Sequence, residues 1–328
     1  MAKAINRTLA RLRETLRRQD PPAWGSAYDP AIRATREEAP SISRPAKVWA
    51  EMLGRYCHTL SLVEQKALLL ALFNPALFEL QEQRMLPTEA RPHPLAGHEL
   101  ATGMELPHLR GTIDVCDRLD MIDQHLWIYV QHPEQIERVP VPAPFIGDFL
   151  LFLMDQDGLY CVNWTIKGAV EDFKRPLMKD RPSKRVAVEA AKTVARHAIE
   201  ERLYLDANIP TIRVVGRDIP ELFFQNLQSL ILLQHRAAAV DAGVYGEVCD
   251  RLRASMQTGQ SPLDIVLSVM HRYDLSLDIS KALFFRAIWR RDVRPELMDE
   301  PIFIDRPLKP ELRDPLQVYG KWFERLSS

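Results

Sequence analysis

Residues 148–167 read DFLLFLMDQDGLYCVNWTIK, and these residues decide the fold. Two apolar runs, Asp148–Met154 and Leu159–Ile166, have the length and composition of β-strands. The residues between them, Asp155–Gly158, give a strong turn signal because Asp and Gly favour tight turns. The stretch therefore predicts a β-hairpin.

The register of this hairpin follows from its turn. If Asp155–Gly158 closes the turn, Asp148 lies opposite Thr165. Side chains alternate along a strand, so Lys167 shares a face with Thr165, and diagonal neighbours lie about 7–8 Å apart. Asp148 and Lys167 therefore converge on one patch, unless a bulge changes the register. The opposite face carries Tyr160, Val162, Trp164 and Ile166.

The segments around the hairpin complete a mixed α/β domain over residues 48–216. The predicted helices are Leu62–Phe73 and Ser183–Asp206, and the predicted strands besides the hairpin are Phe78–Arg84, Gly111–Val115, Leu126–Val130 and Thr211–Val215. The second helix has its apolar residues at Val186, Ala190, Val194 and Ala198. Strand, helix and strand in succession imply a parallel crossover, so we expect a mixed sheet flanked by helices.

Both ends of the chain differ from this domain. Residues 1–47 are predicted to form a basic N-terminal arm, which is extended and rich in Pro, Ser and charge over 19–47. Residues 217–328 are predicted to form a mainly helical domain, with helices at 220–240, 242–257, 262–273 and 278–290 and a β-like tail at 300–304. This order of helix, tight turn, basic helix and strands is the outline of a winged helix, which binds DNA or a partner.

The charge is balanced overall but locally uneven. The chain has 43 basic and 44 acidic residues, for a formal net charge of -1. Basic residues nevertheless cluster within 1–18, 174–185 and 281–294. Each cluster is either a solvated helix face or a contact for phosphate groups. The candidate DNA-binding residues in the second and third clusters are Lys174, Arg175, Lys179, Arg286, Arg290 and Arg291.

Missing motifs exclude several classes of protein. The sequence has no GxGxxG motif, P-loop, GxSxG or HExxH, which argues against nucleotide-driven chemistry and serine hydrolysis. The four cysteines are far apart and include no CxxC pair, so we expect neither a disulfide framework nor a zinc site. No apolar run reaches the ~18 residues of a membrane span, and the N-terminus lacks the apolar core of a signal peptide. We therefore expect a soluble, cytoplasmic protein with no membrane partner.

Glu64 is a further candidate site residue. The SLVE stretch at 61–64 matches a capping box, in which the Glu64 carboxylate accepts a hydrogen bond from the Ser61 amide. Glu64 also shares an apolar helix face with Ala67, Leu68 and Ala71. A buried carboxylate needs a cation or a metal to stay charged, so a capping role and a metal-binding role are both open.

A helix carboxylate, an Asp at the start of one hairpin strand and a Lys on the next form the pattern PD-(D/E)xK. In such a site, the carboxylates and a backbone carbonyl hold Mg²⁺ against a phosphodiester, and the metal lowers the pKa of its water. The lysine stabilises the charge that develops at phosphorus or positions the nucleophile. The candidate catalytic residues are therefore Glu64, Asp148 and Lys167. Glu82 either supports this site or is a solvated strand residue.

Several stretches carry a family resemblance. They are HTLSLVE at 58–64, FELQEQ at 78–83, Arg110-Gly111, DFL at 148–150, TIK at 165–167, IPTIRVV at 209–215 and YDLSL at 273–277. In this combination the chain resembles TnsA, the endonuclease subunit of heteromeric Tn-seven-like transposases, over roughly residues 48–305.

The resemblance implies a restriction-endonuclease-like fold and Mg²⁺-dependent cleavage of DNA at the 5′ ends of a transposon, with Mn²⁺ as a substitute. The implied partners are transposon-end DNA, a DDE-type transposase subunit that cuts and joins the 3′ ends, and an AAA+ ATPase that regulates both. Glu64, Asp148 and Lys167 carry over as catalytic residues. Glu64, Asp148, Thr165 and the Ile166 carbonyl carry over as metal ligands. Thr165 departs from the family, which has a longer Gln side chain at this position.

Two other functions stay open. A catalytically weak nuclease-fold adaptor would bridge the DDE transposase and the AAA+ ATPase. Thr165 mildly favours this adaptor, whereas the presence of Glu64, Asp148 and Lys167 argues against it. A free-standing DNA-binding regulator would use the C-terminal winged helix alone.

Overall fold

The computed structural model describes residues 2–40, 44–131, 138–174, 183–237 and 240–326. Its strands are β1 (Ala46–Ala50), β2 (Arg55–Thr59), β3 (Leu77–Glu82), β4 (Trp127–Gln131), β5 (Arg138–Pro142), β6 (Phe149–Asp155), β7 (Gly158–Lys167) and β8 (Thr211–Val215). Its helices are α1 (Ala2–Gln19), α2 (Leu62–Leu72), α3 (Thr112–Arg118), α4 (Ser183–Leu205), α5 (Glu221–Gln234), α6 (Ala242–Thr258), α7 (Pro262–Arg272), α8 (Leu277–Trp289) and α9 (Pro315–Val318).

A four-stranded mixed sheet forms the centre of the α/β part, in the order β3-β6-β7-β8. β6 pairs antiparallel with β3 and β7, and β8 pairs parallel with β7. The hairpin register runs from Phe149 opposite Trp164 to Asp155 opposite Gly158, with no shift between these pairs. The predicted hairpin, its turn and its register are confirmed, and α4 provides the predicted crossover to β8.

The strand predicted at Gly111–Val115 is wrong, because these residues begin α3. Gly111 precedes this helix with a φ of 91°, a value that an L side chain rarely adopts. A Cβ at this position would lie 2.5 Å from the carbonyl carbon of Glu89. The close approach of a distant segment therefore requires glycine here, immediately before the helix.

The β-like tail predicted at 300–304 is also wrong. Within residues 240–326, the pairing that follows α8 is an isolated bridge between Pro295 and Pro310. Proline has no N–H to donate to a strand ladder, and Pro301 and Pro307 interrupt the same stretch. The C-terminal region is therefore mainly helical.

The buried face of α4 differs from the predicted one at Val194, while the side chain of Val186 lies outside the described part of the helix. Val194 is 50% exposed, whereas Ala195, Ile199 and Leu203 are buried. Ile199 and Leu203 belong to a hydrophobic cluster with sheet residues such as Phe152. Burial of Ile and Leu removes more apolar surface from water than burial of Val and Ala, so this face prevails.

The segment that follows α1 covers the open edge of the sheet. The Tyr28 hydroxyl donates to the Glu82 carbonyl at 2.7 Å, and the Ala31 amide donates to the Gln83 carbonyl at 3.1 Å. The Gln81 side chain donates in the other direction, to the Ala23 carbonyl at 3.1 Å. An edge strand such as β3 exposes unpaired backbone groups, and this segment satisfies part of them. The predicted arm thus consists of helix α1 and a following segment that packs along the edge strand β3.

One hydrophobic core crosses the boundary predicted at 216/217. It joins one face of the sheet, α2 and the C-terminal helices in a single cluster. Trp164 of β7 is fully buried there, and its Nε1 donates to the Trp322 carbonyl at 2.6 Å. Phe323 packs on the same indole with ring centres 5.1 Å apart. None of the helices in the described part of the chain is long and apolar enough to cross a membrane.

We expect Phe323→Ala to destabilise the whole chain by about 3 kcal/mol, because it leaves a cavity beside Trp164. The measurement is urea unfolding followed by tryptophan fluorescence. Leu326→Ala, at a 37% exposed position three residues later, is the matched control and should stay within about 0.5 kcal/mol of the parent. Equal effects of the two substitutions would contradict the shared core.

Candidate active site

The hairpin and α2 bring the predicted catalytic residues together. Asp148 immediately precedes β6, Lys167 ends β7, and Glu64 lies in the first turn of α2. Lys167 Nζ lies 3.8 Å from Asp148 Oδ2, and these side chains are 21% and 15% exposed. Gln83 connects Glu64 to Asp148, because its Nε2 donates to Glu64 Oε2 at 3.2 Å and its backbone amide donates to the Asp148 carbonyl at 2.8 Å. Carboxylates from a helix and a hairpin thus converge beside one lysine.

Asp148 is held by the backbone of the opposite strand. Its Oδ2 accepts a hydrogen bond of 2.7 Å from the Ile166 amide. The N–H and C=O of one strand residue point to the same side, so the Ile166 carbonyl also faces this strand end. Thr165 is 2% exposed and lies one residue earlier. The hairpin therefore places a carboxylate and a backbone carbonyl at one point.

Glu64 caps its own helix and faces the site at the same time. Its Oε1 accepts from the Ser61 hydroxyl at 2.8 Å, and its Oε2 accepts from the Leu60 amide at 2.8 Å. The Ser61 hydroxyl in turn accepts from the Glu64 amide at 3.2 Å. The predicted capping interaction is present, but its backbone donor is Leu60 rather than Ser61. The capping hydrogen bonds orient the Glu64 carboxylate, which still lies on the side of α2 that faces Asp148.

Burial raises the pKa of Glu64 to about 7, and the negative charge of Asp148 acts in the same direction. The donors at Leu60 and Ser61 and the positive charge of Lys167 act the other way. Carboxylates that repel each other in a buried site are stabilised by a cation between them. The electrostatics of the site would therefore favour a cation beside Glu64 and Asp148, in addition to the Lys167 ammonium.

The available ligands fit Mg²⁺ better than a metal that needs a full protein cage. Among the described residues, no group of three or more His, Cys, Asp or Glu side chains could hold a metal ion. Mg²⁺ prefers oxygen ligands and usually binds through one or two carboxylates, with water completing its shell. Glu64, Asp148 and the Ile166 carbonyl match that set.

Sequence reasoning missed the supporting role of Gln83 and left Glu82 open. Gln83 Nε2 donates to Glu64 Oε2 at 3.2 Å. Glu82 is fully buried, and its carboxylate pairs with Arg55 at 2.8 Å and accepts from the His58 amide at 2.9 Å. Glu82 is thus one partner of a buried structural ion pair and not a solvated strand residue. The FELQEQ stretch at 78–83 contains both residues, but the sequence does not show which of their side chains point to the site.

A buried polar layer under α4 was also missed. Asn163 Nδ2 donates to Glu200 Oε1 at 3.0 Å, and both residues are about 1% exposed. Burial raises the pKa of Glu200, and the Asp148 charge adds to this effect. Arg196 donates to the Ile146 carbonyl at 2.5 Å, just before Asp148. These residues tie α4 to the strand ends that carry the site.

The predicted DNA-binding residues of the 174–185 cluster are described in part. Lys174 is exposed and follows the short helical turn after β7. Arg175 and Lys179 lie outside the described residues. Lys174 thus places one cation on the surface near the end of β7, which also carries Lys167.

The cluster around α8 separates into exposed and internal arginines. Arg290 is exposed. Arg286 is 10% exposed and pairs with Glu51 at 3.2 Å. Arg291 is 9% exposed, pairs with Asp314 at 2.8 Å and lies over the Phe73 ring. The internal arginines link the C-terminal region to the rest of the chain, so Arg290 is the better placed for a phosphate contact.

Comparisons with known proteins leave the function to be inferred from the site. No family model matches the chain, and no curated protein matches it significantly. The convergence of Glu64, Asp148 and Lys167 is therefore the main basis for a function.

We expect metal binding to release a proton in a way that depends on Glu64. Below its pKa of about 7, Glu64 is mostly protonated, and a divalent ion needs the carboxylate. Mn²⁺ affinity should therefore rise as the pH increases through about 7 and level off above that pH. Calorimetry in buffers of different ionisation enthalpy measures the protons released.

Glu64→Gln should lose this proton release. Glu201→Gln is the control, because Glu201 is a partly exposed α4 carboxylate that pairs with Arg213. Proton release that persists unchanged in Glu64→Gln would contradict the assignment of Glu64.

Proposed function

We propose that this protein is a Mg²⁺-dependent DNA endonuclease with a restriction-endonuclease-like fold. The observation that carries the proposal is the convergence of Glu64, Asp148 and Lys167 at the open end of a hairpin, in the PD-(D/E)xK order. The mixed sheet and the α4 crossover support the same fold. Phosphodiester hydrolysis is the chemistry that such a site performs best.

Each residue has a distinct role in this reaction. Glu64, Asp148 and the Ile166 carbonyl would hold Mg²⁺, which would polarise the scissile phosphodiester and lower the pKa of water. The Ile166 amide fixes the orientation of Asp148. Lys167 stabilises the negative charge that develops at phosphorus. Mn²⁺ would substitute, since it accepts the same oxygen ligands.

The biological setting that we propose follows from the resemblance to TnsA. The protein would hydrolyse the 5′ ends of a transposon, beside a DDE-type transposase subunit that cuts and joins the 3′ ends, under an AAA+ ATPase. Of the predicted DNA contacts that lie within the described residues, Lys174 and Arg290 are exposed and would support a path for transposon-end DNA. Most of α8 is buried, including Leu283, Phe284 and Ala287, so the C-terminal helical region would reach DNA from the end of α8 rather than along it.

A nuclease-fold adaptor is the second candidate, and specific observations favour it. Both oxygens of Glu64 already accept hydrogen bonds from Leu60 and Ser61, as in a purely structural cap. Thr165 also stands where the TnsA family has Gln. Such a protein would bind the DDE transposase and the AAA+ ATPase without cutting DNA. A free-standing regulator has less support, since the C-terminal region shares its core with the sheet.

Substitutions in the hairpin should separate the nuclease from the adaptor. Asp148→Asn should abolish nicking at the 5′ ends of transposon DNA with the partner transposase and Mg²⁺. Lys167→Ala should cost about 2–4 kcal/mol of transition-state stabilisation, or roughly 30- to 1,000-fold in rate. Strand-specific primer extension maps and quantifies the nicks.

Asp155→Asn is the control on the same hairpin, because Asp155 lies in the turn and pairs with Arg325. It should nick at the parental rate. Nicking by Asp148→Asn at the parental rate would refute the nuclease.

The products of transposition should change in cells that carry Asp148→Ala. If this protein cuts only 5′ ends, its loss leaves 3′-end joining intact, and the element stays attached to its donor. Replication of this branched product gives a cointegrate instead of a simple insertion. Long-read sequencing of insertions counts both products, and an unchanged share of simple insertions would mean that another enzyme cuts the second strand.

A further inference from the structure

We propose that Gln83 is a positioning residue of the candidate active site. Its side-chain amide sets the Glu64 carboxylate relative to Asp148, and its backbone links both to the edge of the sheet. This inference rests on the proposed function, because it assigns Gln83 to the same metal site. Gln83 acts through Glu64 and does not itself contact the reacting phosphate.

Gln83 contacts both halves of the site. It follows β3 and is 4% exposed. Its Nε2 donates to Glu64 Oε2 at 3.2 Å, and its backbone amide donates to the Asp148 carbonyl at 2.8 Å. One buried residue thus joins the helix that carries one candidate ligand to the strand end that carries the other.

The other donors to Glu64 cannot perform this task. Leu60 and Ser61 lie at the start of α2, so their hydrogen bonds fix Glu64 only relative to its own helix. Gln83 comes from the sheet, and its contact fixes the carboxylate relative to Asp148. Without Gln83, Glu64 would still cap α2, but its distance from Asp148 would be less restricted.

The strained backbone conformation of Gln83 indicates that its side chain has a role that glycine could not fill. Its φ is 49°, in the left-handed region that non-glycine residues adopt at a cost of about 1–2 kcal/mol. Glycine would adopt this conformation without strain. A glutamine here costs conformational energy, which the contact of its amide with Glu64 offsets.

Neighbouring hydrogen bonds hold the strained backbone in place. The Gln83 carbonyl accepts from the Ala31 amide at 3.1 Å, and the Arg84 carbonyl accepts from the Gly147 amide at 2.8 Å. Gln83 and the residue that follows it are therefore fixed by other segments. Such over-determined strain is typical of functional sites.

Mn²⁺ binding, followed by electron paramagnetic resonance on the full chain, tests the proposal without any need for cleavage. Gln83→Met keeps the side-chain size but removes the amide, and we expect the Mn²⁺ dissociation constant to rise by about 10-fold or more. Gln83→Gly removes the amide and relieves the backbone strain. It should bind Mn²⁺ as weakly as Gln83→Met although it unfolds at an equal or higher urea concentration.

Gln81→Met is the matched control. Gln81 lies on β3, two residues before Gln83, is fully buried and donates its amide to the Ala23 carbonyl, away from Glu64. It should lose stability and keep the parental Mn²⁺ affinity. In a Glu64→Gln background, Gln83→Met should have no further effect on Mn²⁺ binding, since it acts through Glu64.

The outcomes distinguish this inference from the proposed function. If the Mn²⁺ dissociation constants of both Gln83 variants lie within twofold of the parental value, the role of Gln83 is overturned and the proposed nuclease is unaffected. A parent that binds Mn²⁺ but does not cut DNA overturns the nuclease and leaves Gln83 as a positioning residue of a metal site. A parent that binds no Mn²⁺ overturns both. Equal losses of Mn²⁺ affinity in Gln81→Met and Gln83→Met would show that Gln83 has only a structural role.

Discussion

The register of the β6–β7 hairpin is the constraint on which both the core and the site depend. A slip of one residue would move every side chain of a strand to the other face of the sheet. In the observed register, Trp164 enters the core shared with the C-terminal region, while the Ile166 amide meets the Asp148 carboxylate. Burial of Trp164 and placement of Asp148 therefore select the same pairing.

The sequence predicts the features that depend on short-range signals. The Asp155–Gly158 turn sets the register, the capping stretch starts α2, and the order of elements requires the parallel crossover. These signals place Asp148, Lys167 and Glu64 in one region. Features that depend on distant partners were not predicted. The position before α3 requires glycine because the Glu89 backbone packs against Gly111, and Arg286 is buried beside Glu51.

The site is assembled from layers that meet at the ends of β6 and β7. α2 supplies Glu64, the hairpin and the residue before it supply Lys167 and Asp148, and the residue after the edge strand β3 is Gln83. The segment after α1 covers that edge, and the C-terminal helices cover the face that contains Trp164. The chain therefore restricts the candidate site from several sides, although the candidate catalytic residues lie on only one helix and one hairpin.

The most direct test of this account is a crystal structure of the protein grown with Mn²⁺, with the metal located by its anomalous scattering. The account predicts one peak between Glu64 and Asp148, at roughly the 2.0–2.2 Å typical of small divalent ions from an Asp148 oxygen and the Ile166 carbonyl oxygen. No peak there at saturating Mn²⁺, with Glu64 still bound only to Leu60, Ser61 and Gln83, would contradict it.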